Sequence, residues 1–354
     1  MVDKVIGDLE TINTNNQPCL MAIGFLKPHL PFNAPKKYWD LYTESDLKLA
    51  NNRYQPHNTP KIAMHNYAEL RRYLNIPDDK TTDIPDSVQL QLIHGYYACI
   101  SFVDAQIGRL IQALKEKDMY DNSIIVFVGD HGWQLGEHNL WAKHCNFQTS
   151  LKVPLLLKYP GQKQKQKIES VVELIDLFPT LCALSNLETP NHAQGKSLVK
   201  INKEDAKNSV GFSSYHKGTT ITTSDYAYTE WFNSKNNTVI GDMLFDLNSD
   251  AEENSAAPHR AGESARQRAT AFDEGEEPRR HPHRDLGYQT RSERCSRRRV
   301  RTRREQGFAA TDVYRSVRPS GVFLYPQYIT HNDPMGSAAS SPEEEAPSCT
   351  MLMN

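Results

Sequence analysis

The sequence of 354 residues has no apolar run that approaches the roughly 20 residues needed to cross a lipid bilayer. Its first residues, Met1-Val2-Asp3-Lys4, also lack the apolar segment of a signal peptide. We therefore expect no membrane-spanning helix and no export that is directed by this start.

Cysteine is scarce, and its six occurrences show neither the spacing of a metal site nor that of a disulfide framework. Cys19, Cys99 and Cys182 lie in apolar patterns, so we expect them to be small core residues. Cys145 lies in a loop that is rich in titratable side chains, and we assign it no catalytic role.

Lysine is absent from residues 251–354, which contain 16 arginines, whereas residues 1–250 contain 21 lysines and 4 arginines. Solvated surfaces use both residues, so the change indicates a shifted reading frame or a fused segment. We expect residues 255–354 to be disordered, because the stretch up to residue 304 contains few large apolar side chains. The arginine-rich run at 291–304 has a nucleic-acid-binding alternative, which we do not favour.

The most informative stretch begins with an apolar, β-branched run at residues 124–128, which ends in Gly129-Asp130-His131-Gly132. Such a run bounded by glycine predicts a strand buried on both faces, of the kind found in parallel sheets. Asp130 and His131 therefore follow the C-terminal end of a strand, where open α/β sheets bind ligands. A carboxylate beside an imidazole indicates a metal ion there, and a simple turn is the alternative interpretation.

The loop that follows carries more aromatic and titratable side chains than a connection requires. They are Trp133, Glu137, His138, Trp141, Lys143 and His144. The whole stretch 129–147 resembles the sulfatases, and within that family it is most similar to the iduronate 2-sulfatases. Further matches occur in the family's order at residues 24–32, 96–110, 172–182, 223–231 and 244–254.

The resemblance implies an α/β fold, with part of an alkaline-phosphatase-like core at residues 1–200 and a small antiparallel sheet at 201–254. The pattern itself predicts a long helix that Asp86 or Ser87 caps and that carries an apolar stripe from Val88 to Leu114. Strands are predicted at 19–25, 123–128, 153–160, 219–231 and 242–247. Short helices are predicted at 34–42 and after Asp176, which we expect to cap the second one.

The family's nucleophile is a formylglycine formed from the cysteine of a Cys-x-Pro-Ser-Arg motif, and none of the six cysteines begins that motif. The acidic pair of the family's metal site also has no counterpart. We therefore interpret Met1 as an internal methionine or the start of a truncated gene model, and we expect the chain as written to be inactive. Asp130 and His131 would form half of a Ca²⁺ site, since Ca²⁺ takes about 6–8 oxygen ligands.

The resemblance assigns catalytic roles to His29 and Lys143. Lys143 would neutralise charge on the sulfate as a compact cation, and His29 would contact the sulfate or its leaving oxygen, where an imidazole can donate a proton. His138 and Trp133 would face the substrate, with loop packing as the alternative for both. Lys27 is expected to serve the structure of its own loop.

The function implied is hydrolysis of sulfate esters on sulfated glycans, outside the cytoplasm in a lysosomal, periplasmic or secreted setting. Two alternatives stay open. One is a choline-sulfatase-like or phosphonate-hydrolase-like enzyme on the same scaffold. The other is a pseudo-sulfatase that binds sulfated glycans without turnover.

Overall fold

The computed structural model of this chain describes residues 1–15, 18–65, 68–79, 82–162, 164–201, 209–236 and 238–258. The arginine-rich run at 291–304 and the rest of the predicted disordered segment beyond 258 lie outside the described residues. The helices are α1 Val2–Asn15, α2 Lys36–Trp39, α3 Asp86–Glu116, α4 Gln148–Leu151 and α5 Leu177–Leu184. The strands are β1 Ile125–Val128, β2 Gln134–Leu135, β3 Trp141–Ala142, β4 Leu155–Lys158, β5 Gly211–Tyr215, β6 Gly218–Thr222, β7 Tyr226–Phe232 and β8 Val239–Asp246.

Helix α3 is the predicted long helix, but the predicted cap at Asp86 or Ser87 is wrong, because Asp86 is already the first helical residue. No side chain caps it, because Pro85 occupies the N-cap position. Its stripe is buried from Cys99 through Leu114, where it packs against Ile125 of β1. None of the helices in the described ranges is long and apolar enough to cross a membrane.

Helix α1 was not predicted from the sequence. Its Val2 and Leu9 are each 5% exposed and belong to the same hydrophobic cluster as α3. An ion pair between Lys117 and Glu10 at 2.9 Å joins the two helices at their surface.

Strand β1 confirms the predicted strand at 123–128, but its partner corrects the expected sheet. Within the described residues β1 pairs only with β4, and the two strands run antiparallel. Residues 19–25, predicted as a strand, pair with no other described segment, although Ile23 is buried against α3. Cys19 is exposed, contrary to the prediction, whereas Cys99 and Cys182 are buried. A strand pattern specifies burial, but pairing direction depends on which other strands are near.

The second part of the chain forms the predicted antiparallel sheet, in the order β5-β6-β7-β8. Thr220, Thr229 and Trp231 face its buried side, each with no more than 1% exposure. Asp176 precedes α5, but its carboxylate accepts hydrogen bonds from the Glu173 and Lys196 backbone N–H groups and caps no N–H of that helix.

The folded chain continues past the predicted boundary at residue 254. The Ala256 N–H donates to the His57 carbonyl at 2.9 Å, and the Ala257 N–H donates to the Leu244 carbonyl at 2.8 Å. Ala256 is 1% exposed within the cluster around Phe147 and Trp231. We call residues 251–258 the strap. Its composition did not predict its burial, because that burial depends on small side chains and backbone hydrogen bonds.

Candidate active site

The site is built on the loop that joins β1 to α4. Two backbone contacts fix this loop against the following segment. The Gly129 N–H donates to the Pro154 carbonyl at 3.0 Å, and the Gly132 N–H donates to the Ser150 carbonyl at 2.8 Å. A short hairpin of β2 and β3 then brings Lys143 back beside the start of the loop.

Asp130 and His131 lie at the C-terminal end of β1, as predicted. The His131 Nδ1 lies 2.8 Å from the Gly132 carbonyl oxygen. A carbonyl can only accept, so this nitrogen carries the proton and the Nε2 lone pair is available to a ligand. The Asp130 carboxylate accepts from the His131 N–H at 3.0 Å and is 66% exposed at its side chain.

These two residues do not by themselves fit a Ca²⁺ ion. They supply one carboxylate and one imidazole nitrogen, whereas Ca²⁺ prefers several oxygen ligands. Among the residues that the structure describes, no group of three or more His, Cys, Asp and Glu side chains could hold a metal ion. Their role as half of a metal site stays a prediction.

His29 and Lys143, which are 114 residues apart, meet directly. The Lys143 Nζ lies 2.6 Å from the His29 Nε2. The other ring nitrogen of His29, Nδ1, donates to the Leu30 carbonyl at 3.0 Å, which leaves Nε2 as the nitrogen that faces Lys143. The structure therefore brings together both residues to which the sequence assigned catalytic roles.

Glu69 completes this cluster and was not predicted. Its carboxylate accepts from Lys143 at 2.9 and 3.0 Å and lies 2.9 Å from the His29 Nε2. Burial would raise the pKa of Glu69, but the hydrogen bond and charge of Lys143, with the charges of His29 and His144, lower it below its ordinary value. Glu69 lies in the long polar segment at 43–86, where no spacing distinguishes it from its neighbours.

Trp133 forms the aromatic wall of the cluster. Its ring lies edge-on to His29 at a centroid distance of 5.2 Å, and the Lys143 ammonium lies 5.0 Å from its centroid. Its indole N–H is buried and has no hydrogen-bond acceptor among the described residues. Buried donors are normally paired, so this N–H is an exception among the described residues.

His138 lies inside the protein, which favours the packing alternative over the predicted contact with substrate. It is 1% exposed, and its Nε2 lies 2.9 Å from the Glu252 carbonyl. Its ring packs on Phe147 at 4.4 Å. Burial lowers the pKa of His138, and the backbone hydrogen bond to Glu252 opposes that effect. The residue joins the loop to the strap at 251–258.

The contacts of Lys27 and the burial of Cys145 indicate structural roles for both residues. Lys27 donates to Asn33 Oδ1 at 2.6 Å and to the Pro31 carbonyl, so it holds its own loop. Cys145 is 2% exposed, and burial raises the pKa of its thiol. A buried, protonated thiol is a poor nucleophile.

Comparison with known families supports the assignment that these motifs predict. The profile of the sulfatase family matches residues 1–187. A second profile, described as the C-terminal part of N-sulphoglucosamine sulphohydrolase, matches residues 136–261. The second match includes the strap that the predicted boundary excluded.

Two characterised relatives are similar over about half of the chain. The iduronate 2-sulfatase of Mus musculus is 32% identical over 217 residues, which cover 53% of this chain and 39% of that protein. The choline-sulfatase of Rhizobium meliloti is 30% identical over 197 residues, which cover 54% and 36% respectively. The chain thus spans about two fifths of the length of these relatives.

Solved structures share the fold. BT4656, in complex with its substrate D-glucosamine-2-N,6-O-disulfate, has a TM-score of 0.60 at 19% identity. The matched region covers 77% of this chain and 68% of the BT4656 chain. The phosphonate monoester hydrolase SpPMH of Silicibacter pomeroyi has a TM-score of 0.60 at 22% identity, with 77% and 58% covered. The predicted alkaline-phosphatase-like sulfatase fold is confirmed.

Proposed function

This chain belongs to the sulfatase family, and we propose that its Lys143 and His29 bind the sulfate group of a sulfated glycan in an enzyme that hydrolyses sulfate esters. The meeting of these two side chains at 2.6 Å carries the proposal. An iduronate-2-sulfatase-like substrate is the glycan class we favour, and an extracytoplasmic compartment is part of the same proposal.

The cluster has the chemistry that a sulfate ester requires. The Lys143 ammonium and the free Trp133 indole N–H are donors for sulfate oxygens, and both adjoin His29. Charge that develops on the bridging oxygen is stabilised by such fixed donors in a partly dry site. With Nδ1 held by the Leu30 carbonyl, a protonated His29 presents its second N–H to the departing oxygen.

The Glu69 carboxylate contacts Lys143 and His29 at the place where a bound anion would contact them. A sulfate that binds there competes with Glu69 and is repelled by its charge. Asp130 and His131 would contribute to the family's metal, which polarises the sulfate when bound. The described residues do not complete that metal site, so the proposed steps involve only the chain's own side chains.

Binding of iduronate 2-sulfate and of galactose 6-sulfate, rather than turnover, tests the proposal, because no cysteine of this sequence begins the family's nucleophile motif. We expect Lys143→Met to weaken binding roughly ten- to hundredfold, the size of a lost charge-assisted hydrogen bond. Glu69→Gln should tighten binding, since it removes the competing carboxylate. Isothermal titration of the 354-residue chain measures both changes.

Lys36→Met is the matched control, because the Lys36 side chain is 85% exposed and pairs with Asp40, which directly follows the same helix. It should leave the affinity unchanged. Equal affinities for the wild type and the Lys143→Met variant would contradict the proposal. Tight binding of choline O-sulfate or of a phosphonate monoester, in place of the sugar sulfate, would favour one of the alternative enzymes.

A further inference from the structure

A cavity of about 320 Å³ adjoins the candidate active site. It lies between the loop that carries Lys143 and the turn that joins β5 to β6. Three histidines and a tyrosine are the polar side chains most prominent in its wall. They are His65, His144, Tyr215 and His216, and we call this space the histidine cavity.

His144 connects the histidine cavity to the sulfate-binding cluster. Its Nδ1 lies 3.7 Å from the Glu69 carboxylate, and it follows Lys143 directly in the chain. The histidine cavity therefore adjoins the side chains that we propose bind the sulfate. The volume is within the usual range of about 300–1,000 Å³ for sites that hold small molecules.

The wall of the histidine cavity contains aromatic rings in varied orientations. The His144 and Tyr215 rings are 5.6 Å apart and tilted, and the His65 and His144 rings are perpendicular at 6.3 Å. Trp231 and Asn146 also contribute to the lining. Rings of this kind offer apolar faces together with hydrogen-bonding edges.

The described residues that line the cavity include no lysine, arginine, aspartate or glutamate. Burial, with the charge of His144, lowers the pKa of His65 to about 4. Burial and the charge of Lys143 also lower the pKa of His144, with Glu69 opposing them. Both shifts favour the neutral imidazole, and the described lining has no lysine or arginine to pair with an anion.

We propose that the histidine cavity holds an uncharged sugar ring, the neighbour of the sulfated ring whose sulfate contacts Lys143 and His29. This inference rests on the proposed function and adds the class of the second ring. A pyranose has an apolar face for the Tyr215 and His144 rings and hydroxyls for the imidazole and amide edges. A second sulfate or a uronate would lose its hydration there without gaining a cation.

Three probes test this with the full 354-residue chain by isothermal titration. They are galactose 6-sulfate, the disaccharide in which it is joined to glucose, and the same disaccharide with glucuronate in place of glucose. We expect the glucose disaccharide to bind roughly five- to tenfold more tightly than the monosaccharide, the size of one or two ring contacts. The glucuronate disaccharide should show no such gain.

Two variants locate the gain in the histidine cavity. Tyr215→Leu removes an exposed ring, and His216→Asn keeps a residue that tolerates the positive φ of 57° at this turn. Each should reduce the gain from glucose while the affinity for galactose 6-sulfate stays the same. Tyr54→Leu, another exposed tyrosine that does not line the cavity, is the control.

The outcomes separate the two proposals. If galactose 6-sulfate binds but glucose adds nothing, or if glucuronate adds as much, the histidine cavity is not a neutral sugar subsite. The same holds if both variants keep the full gain in affinity. It also holds if 4-nitrophenyl sulfate binds more tightly than inorganic sulfate by an equal factor and Tyr215→Leu abolishes that difference, which would indicate an aryl site. If neither inorganic sulfate nor any sugar sulfate binds, the proposed function itself fails.

Discussion

Glu253→Gln is expected to make the protein more stable than the wild type above pH 7 and nearly equal to it near pH 5. Glu253 is 1% exposed in the strap at 251–258. One carboxylate oxygen accepts from the Gln148 N–H at 2.7 Å, and the other is buried with no partner among the described residues. Burial raises the pKa of Glu253 from 4.5 to about 8, although the Gln148 hydrogen bond and the Lys152 charge lower it.

The sign of the pH dependence follows from that raised pKa. Below pH 4.5 the carboxyl is protonated in both the folded and the unfolded chain, so its contribution to stability is fully present. Between pH 4.5 and about 8 only the folded chain holds the proton. The free energy of unfolding then falls by about 1.4 kcal/mol per pH unit, on the order of a few kcal/mol in total.

Urea denaturation from pH 5 to pH 9, followed by tryptophan fluorescence, measures this effect. The glutamine keeps an oxygen for the Gln148 N–H but carries no charge, so its stability should lack this decline. Glu252→Gln is the matched control, because Glu252 is the exposed neighbour, and its curve should parallel that of the wild type. Parallel curves for the wild type and Glu253→Gln would show that Glu253 is ionised in the folded protein.

Gly132→Ala is expected to destabilise the fold by roughly 3–5 kcal/mol, a large share of the stability of an ordinary domain. A Cβ at this position would lie 2.0 Å from the Thr149 carbonyl oxygen and 2.9 Å from the Lys152 carbonyl oxygen. Both contacts are with backbone, so no side-chain rotation relieves them. The loop would have to move away from residues 149–152, and Asp130 and His131 would move with it.

Gly7→Ala is expected to have the opposite effect and to stabilise the fold. Gly7 lies within α1, and a Cβ there would meet nothing within 4 Å. Alanine should therefore add about 0.5–1 kcal/mol, because glycine loses more backbone entropy in a helix. Thermal and urea unfolding of both variants measure the difference. A Gly132→Ala protein as stable as the wild type would mean that this loop is not fixed against residues 149–152.

The candidate site was only partly predictable from sequence. His29, Asp130, His131 and Lys143 each stand in a distinctive local pattern, so the motif match made them candidates before any geometry was known, and their roles stay predictions. Glu69 stands in no pattern, and only the folded chain shows that its carboxylate contacts Lys143. Its role depends on a contact across 74 residues, which no local signal records.

His138 illustrates a different limit. A histidine next to a glutamate in a site-like loop suggests a residue that faces a ligand. Whether it does depends on the direction of the backbone, and here its φ of 56° turns the ring inward onto Phe147. The strap at 251–258 then covers it, and the composition of that segment did not predict burial.

The sequence by itself determined the strand that ends at Val128, the long helix through Leu114 and the family, because periodicity, glycine positions and motif order are local properties of the chain. Tertiary structure decided the antiparallel pairing of β1 with β4, the packing of α1, the inward position of His138 and the contact of Glu69 with Lys143. Those features depend on which distant segments compete for the same space and the same hydrogen-bonding groups. That competition is resolved only when the whole chain packs.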